Sequence, residues 1–151
     1  AIDLVGRKLR MNDGQVIKDL LDEIKEFTES LGKEGNEFLS IQNNLRDALQ
    51  ATDEAANWLL DEGSNNPLHA LAGATPFLKM LGQLVGGWLL ARLAVGADEL
   101  NSKEESDFYS SKIVVARFYA EQLLPLTRAQ LGAVTAGADD LFAVAAERFS
   151  V

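Results

Sequence analysis

No cysteine occurs in the 151 residues, and histidine occurs once, at His69. The first absence excludes disulfides, thiolate metal sites and cysteine catalysis, and it fits a reducing compartment such as the cytoplasm. The second excludes the di-iron carboxylate pattern of helix bundles. That pattern needs Glu-x-x-His on two helices, and the residue three before His69 is Asn66. Clustered Lys and Arg are missing as well. The net charge is −9 and the one close group, Arg7, Lys8 and Arg10, is too short for an electrostatic footprint, which argues against nucleic acid. No alternating strand pattern rises anywhere, and neither a linker nor a low-complexity run is visible. Phosphate-cradling loops are absent too, because Gly86-Gly87 sits inside a helical pattern rather than after a strand.

What is present is an ordinary globular composition, 47% hydrophobic and 25% charged, in one domain long enough to bury a core. Residues 68–97 are apolar along nearly their whole length, with only His69, Lys79 and Arg92 ionisable. Pro67 suits the first turn of a helix, and Asn65 or Asn66 can cap it. Thirty helical residues make a rod of about 45 Å, which the rest of the chain is expected to surround. A membrane span is the rival reading. Spanning takes about 20 consecutive apolar residues, and Lys79 and Arg92 leave only residues 80–91 uninterrupted.

The remaining helices follow from spacing. Residues 1–9 have helical periodicity but are short, and they read as the tail of an upstream helix in a longer polypeptide. Asn12 and Gln15 form a potential capping box for a helix whose apolar positions are Val16, Ile17, Leu20, Leu21, Ile24, Phe27 and Leu31. Over residues 36–61, Phe38, Leu45, Thr52 and Leu59 recur every seven residues, with Ile41, Ala48 and Ala55 as the second position of the seam. Ser102 to Glu105 is a capping box ahead of a helix with two apolar edges. Pro125 should kink that helix near Glu121. Residues 132–137 read as a break and 138–149 as a short last helix. The fold class is all-α: an up-down four-helix bundle (residues 11–151) with a short fifth helix and a short N-terminal helical tail (residues 1–10).

No constellation of catalytic type emerges. Asp19, Asp22, Glu23, Glu26, Asp53 and Glu54 all fall on polar stripes. His69, in the string HALAG, loosely resembles the phospho-accepting histidine of histidine-phosphotransfer bundles, although Ala72 stands where those carry Lys. A free-standing interaction or phosphotransfer module is therefore the alternative reading, and local capping or packing the simpler role for His69. Trp58, Trp88, Phe108, Tyr109, Phe118 and Tyr119 could floor a ligand pocket, but at helical spacing they are expected in the core.

Three tracts carry a family likeness: AIDLVGRKL (residues 1–9), GATPFLKMLGQLVGGWLLAR (73–92) and FYSSKIVVARFYAEQLLP (108–125). With these the chain resembles the C-terminal helical extension of bacterial acyl-CoA dehydrogenases, in the branch like 3-methylmercaptopropionyl-CoA dehydrogenase. The resemblance implies a parent flavoprotein that uses FAD to oxidise acyl-CoA to 2-enoyl-CoA in fatty acid metabolism. It also implies a cytoplasmic homo-oligomer in which this domain packs on the catalytic core. In that family the catalytic glutamate lies just ahead of the tract matched by residues 1–9, with flavin contacts there and earlier. Catalytic, cofactor-binding and metal residues are accordingly expected to be none in this chain.

Overall fold

In a computed structural model the chain is described over residues 1–101 and 106–149 (of Ser64, the backbone alone). All regular structure among them is helical. The longest helices are α1 (Gln15–Ser30), α2 (Leu39–Asn65), α4 (Ala74–Asn101) and α5 (Asp107–Gln122). Shorter segments are α3 (Pro67–Ala72), α6 (Pro125–Ala129), α7 (Leu131–Thr135) and α8 (Asp139–Phe142).

The N-terminal tail is a wide turn of π type, Leu4–Lys8, that buries Val5 and Leu9. The expected Asn12 cap does not form. Asn12, Asp13 and Gly14 all take left-handed conformations, and Gln15 donates instead to Asp19 Oδ1 at 2.6 Å. Gly14 lies under α2 here: a Cβ added to it would sit 2.8 Å from Leu60 Cδ1. From Gln15 the spacing holds, and Ile17, Leu21, Ile24 and Leu31 are buried. Thr28 is buried with them; its hydroxyl donates to the Ile24 carbonyl, and its own carbonyl accepts from Gln42 Nε2 at 2.9 Å. That contact ties the end of α1 to the start of α2.

Every position of the expected α2 seam is buried: Phe38, Ile41, Leu45, Ala48, Thr52, Ala55 and Leu59. The Thr52 hydroxyl is satisfied by the Ala48 carbonyl one turn back, so it costs little in the core. α2 packs on α1, α3, α4, α5, α6 and α7, which makes it the axis of the bundle. The greasy stretch after Pro67 shares that role rather than holding it alone.

That stretch is also not one rod. It divides at Gly73 into α3 and α4, because the α7 backbone closes in at the junction: a Cβ on Gly73 would meet the Val134 carbonyl oxygen at 2.7 Å. The start of α3 is as expected, with Pro67 in the first turn and Asn66 Oδ1 accepting from Leu68 N. α4 then continues to Asn101. By length and composition it is apolar enough to cross a membrane. It packs on α2, α5, α6 and α7 and buries Phe77, Met80, Leu84, Trp88, Ala91 and Ala94, but the chain does not surround it as expected, since Leu78, Leu89, Leu93 and Leu100 stay exposed.

The box at residues 102–105 lies outside the described residues; Ser106 caps α5 by accepting from Phe108 N. Pro125 does more than kink α5 near Glu121. The helix stops at Gln122, the N–H groups of Leu123 and Leu124 both reach the Tyr119 carbonyl, and Pro125 opens α6. Proline has no N–H to give, which a first helical turn does not need. The expected break at 132–137 is mostly helix α7, and the chain turns only at Gly137. The expected last helix shrinks to α8 and a 3-10 turn, Ala146–Phe149. Leu141, Phe142, Val144 and Phe149 are exposed there, so no packing supports a longer helix.

Candidate functional site

The six carboxylates assigned to polar stripes are all exposed; Asp22 and Asp53 share a groove between α1 and α2. Among the described residues no cluster of three or more His, Asp or Glu side chains could hold a metal ion. His69 sits in α3 with its ring about four-fifths buried. Nδ1 lies 3.6 Å from Glu62 Oε2 and Nε2 lies 3.2 Å from Asp139 Oδ1. The ring thus clamps the start of α8 to the end of α2. Two carboxylates against its two nitrogens oppose an incoming phosphoryl group, whose charge has the same sign. This geometry favours the packing role over phosphotransfer.

The α4–α5 pair is the most distinctive feature. Its inner side is tightly closed by small residues. A Cβ on Gly86 would fall 2.6 Å from the Tyr119 hydroxyl oxygen, and one on Gly87 would fall 2.7 Å from Leu124 Cδ2. The glycines that could bring a backbone close to a phosphate are therefore filled by the protein's own side chains. Tyr119 donates to the Gln83 carbonyl at 3.2 Å, and burial pushes its phenol above its ordinary pKa. Trp88 is buried, its ring beneath the Arg92 guanidinium at 5.1 Å, while Arg92 reaches Glu23 of α1 at 3.8 Å. The indole N–H of Trp88 has no partner among the described residues.

The outer side of the same pair is uncovered. On α4, Leu78, Leu89, Leu93 and Leu100 are exposed; they fall eleven, four and seven residues apart, close to whole helical turns, and so form one stripe. On α5, Phe108, Val114, Val115 and Phe118 are exposed, Phe108 and Phe118 each at 62%. Core placement therefore fails for these two phenylalanines. Between the helices runs an apolar groove of about 530 Å³, walled by Leu93, Leu100, Phe108, Tyr109 and Val115 and floored by Gly96 and Ala97. Arg92 and Lys112 also line it, and among the described residues no carboxylate does; Lys112 Nζ stands 4.5 Å over the Phe108 ring. A second groove, about 350 Å³ between α1 and α2, is different in kind, lined by Asp22, Lys25, Glu29, Arg46 and Asp53.

Sequence spacing anticipated the polar stripes but missed this face. Its signal was present: α4 is apolar all round, and Phe108, Val115 and Phe118 lie off the edge that meets α4's buried side. The chain belongs to the family described as acetyl-CoA dehydrogenase C-terminal like, which matches residues 20–145. It is 31% identical over 142 residues to 3-methylmercaptopropionyl-CoA dehydrogenase of Ruegeria pomeroyi, covering 93% of this chain and 24% of that protein. It is 29% identical over 135 residues to the broad-specificity linear acyl-CoA dehydrogenase FadE5 of Mycobacterium tuberculosis, covering 83% of this chain and 22% of that protein. The chain thus spans about a quarter of the length of the curated relatives it matches.

Proposed function

We propose that this chain is the helical C-terminal domain of an FAD-dependent acyl-CoA dehydrogenase and that it performs no chemistry itself. Residues 1–10 are then the end of a helix from the flavin-bearing part, and 11–151 the added bundle. The catalytic glutamate and the FAD belong to the preceding part of the polypeptide, a cytoplasmic homo-oligomer that oxidises acyl-CoA to 2-enoyl-CoA. The domain's contribution is structural: it covers the catalytic core or extends a subunit interface.

The observation that carries this reading is the family match over residues 20–145, on an all-helical bundle. The test uses the polypeptide that contains this chain. It is expected to purify with flavin that bleaches when acyl-CoA is added. Substituting His69→Gln should leave the bleaching rate within about twofold, because the role proposed for the ring is to clamp α8 to α2. Flavin or dehydrogenase activity retained by residues 11–151 alone would contradict the proposal.

A further inference from the structure

The outer α4–α5 face has the size and chemistry of a buried surface without a cover. Its leucine stripe runs from Leu78 to Leu100, about 33 Å at 1.5 Å per residue, and the phenylalanines of α5 widen it. Contiguous exposed apolar surface of this extent marks an interaction site rather than a solvated face. Two properties bear on what covers it.

One is charge. The chain as a whole is strongly acidic at −9, yet among the described residues the groove on this face is lined by Arg92 and Lys112 and by no carboxylate, and of the two Arg92 already has Glu23 of α1 at 3.8 Å. In a two-fold pairing each copy offers the same patch to the other. A second copy docked here would bring Lys112 a patch with no carboxylate among its described lining residues, whereas a different surface can supply one. The other property is length. The relatives are about four times as long as this chain, so most of such a polypeptide lies outside the bundle and is available to cover it.

We infer that the outer α4–α5 face is the surface on which this domain docks against the flavoenzyme part of its own polypeptide, an apolar surface with carboxylate opposite Lys112. The inference rests on the function proposed above and names the surface that serves it. By contrast the outer side of α1, with Asp19 and Glu26 exposed, is left to water by this inference.

Absence of cysteine from the chain provides the probe. In the whole polypeptide, Leu93→Cys and Val115→Cys report on the docking face and Glu26→Cys on the outer side of α1; maleimide labelling is read by peptide mass mapping. All three positions are exposed in this domain, so the substitutions are expected to leave its fold intact. Residues 93 and 115 should label about tenfold or more slowly than residue 26 in the native protein, because labelling there waits on a local opening. In denaturant the three should label alike, and the native difference should not change with protein concentration. Equal native rates in a protein whose flavin still bleaches with acyl-CoA would overturn this surface while leaving the proposed function standing. Protection that disappears on dilution, or disulfides joining residue 93 or 115 between two copies, would overturn the choice of partner in favour of a second copy. A polypeptide with no flavin would remove the proposed function and this partner together.

Discussion

The first and fourth helices answer the same demand in opposite ways. α1 carries one apolar stripe and buries it: Ile17, Leu21 and Ile24 face α2, and the charged residues between them face water. α4 is apolar on nearly every side but buries only part of itself. Phe77, Met80, Leu84 and Ala91 are fully enclosed, while Leu78, Leu89, Leu93 and Leu100 are open. An amphipathic helix is complete when one neighbour covers its stripe. A helix apolar all round needs covering on all sides, and within this chain α2, α5, α6 and α7 cover only some of them. The shortfall is what marks α4–α5 as a surface meant for something else.

Substitutions along α4 test this contrast most directly. Phe77→Ala should cost the domain about 3–5 kcal/mol, seen as a large drop in thermal midpoint by circular dichroism, because a fully buried ring leaves a cavity. A loss below about 1 kcal/mol would mean that the inner side of α4 is not the packed core described here. Gly73→Ala should cost about 1–3 kcal/mol, since its methyl group meets the Val134 backbone carbonyl, which cannot swing aside as a side chain can. A neutral result would show that α3 and α4 can be joined without moving α7.

A smaller effect is expected from Tyr119. Its pKa is raised by burial, so the folded state holds the phenolic proton more tightly than the unfolded chain. The associated stability is complete below the ordinary tyrosine pKa of about 10 and is lost as pH rises through the higher folded value. Thermal midpoints measured across that range should fall for the wild type. Tyr119→Phe should lose the bond to the Gln83 carbonyl at neutral pH yet decline less with alkali. Parallel declines would place the titration elsewhere. Smallest of all, Leu93→Ser should change the midpoint of the domain by less than about 0.5 kcal/mol equivalent. In the whole polypeptide the same substitution should destabilise by more, because the docking inferred above would cover Leu93. Equal effects in both contexts would dissolve the distinction between the two sides of α4.

Much of this was written into the chain one helix at a time. Phe38, Leu45, Thr52 and Leu59 fall on one line of α2, and any folding of that helix must bury the line or leave it in water. Asn66 and Pro67 define the start of α3 from adjacent atoms alone, so the capping hydrogen bond to Leu68 N was readable in advance. The polar stripes were equally legible.

Other features depend on groups brought together only by folding. The division at Gly73 is imposed by the carbonyl of Val134, and the left-handed turn at Asn12 to Gly14 brings Gly14 beneath Leu60 of α2. His69 meets Asp139 across a separation of 70 residues, which no local pattern encodes. Hydrophobicity along the chain established that α4 must be covered, since apolar area exposed to water is costly wherever it lies. Which of its sides this domain covers, and which it leaves to be met from outside, was decided by the packing of α2, α5, α6 and α7 around it. Periodicity records what a helix must hide; only the neighbours' positions fix where it is hidden.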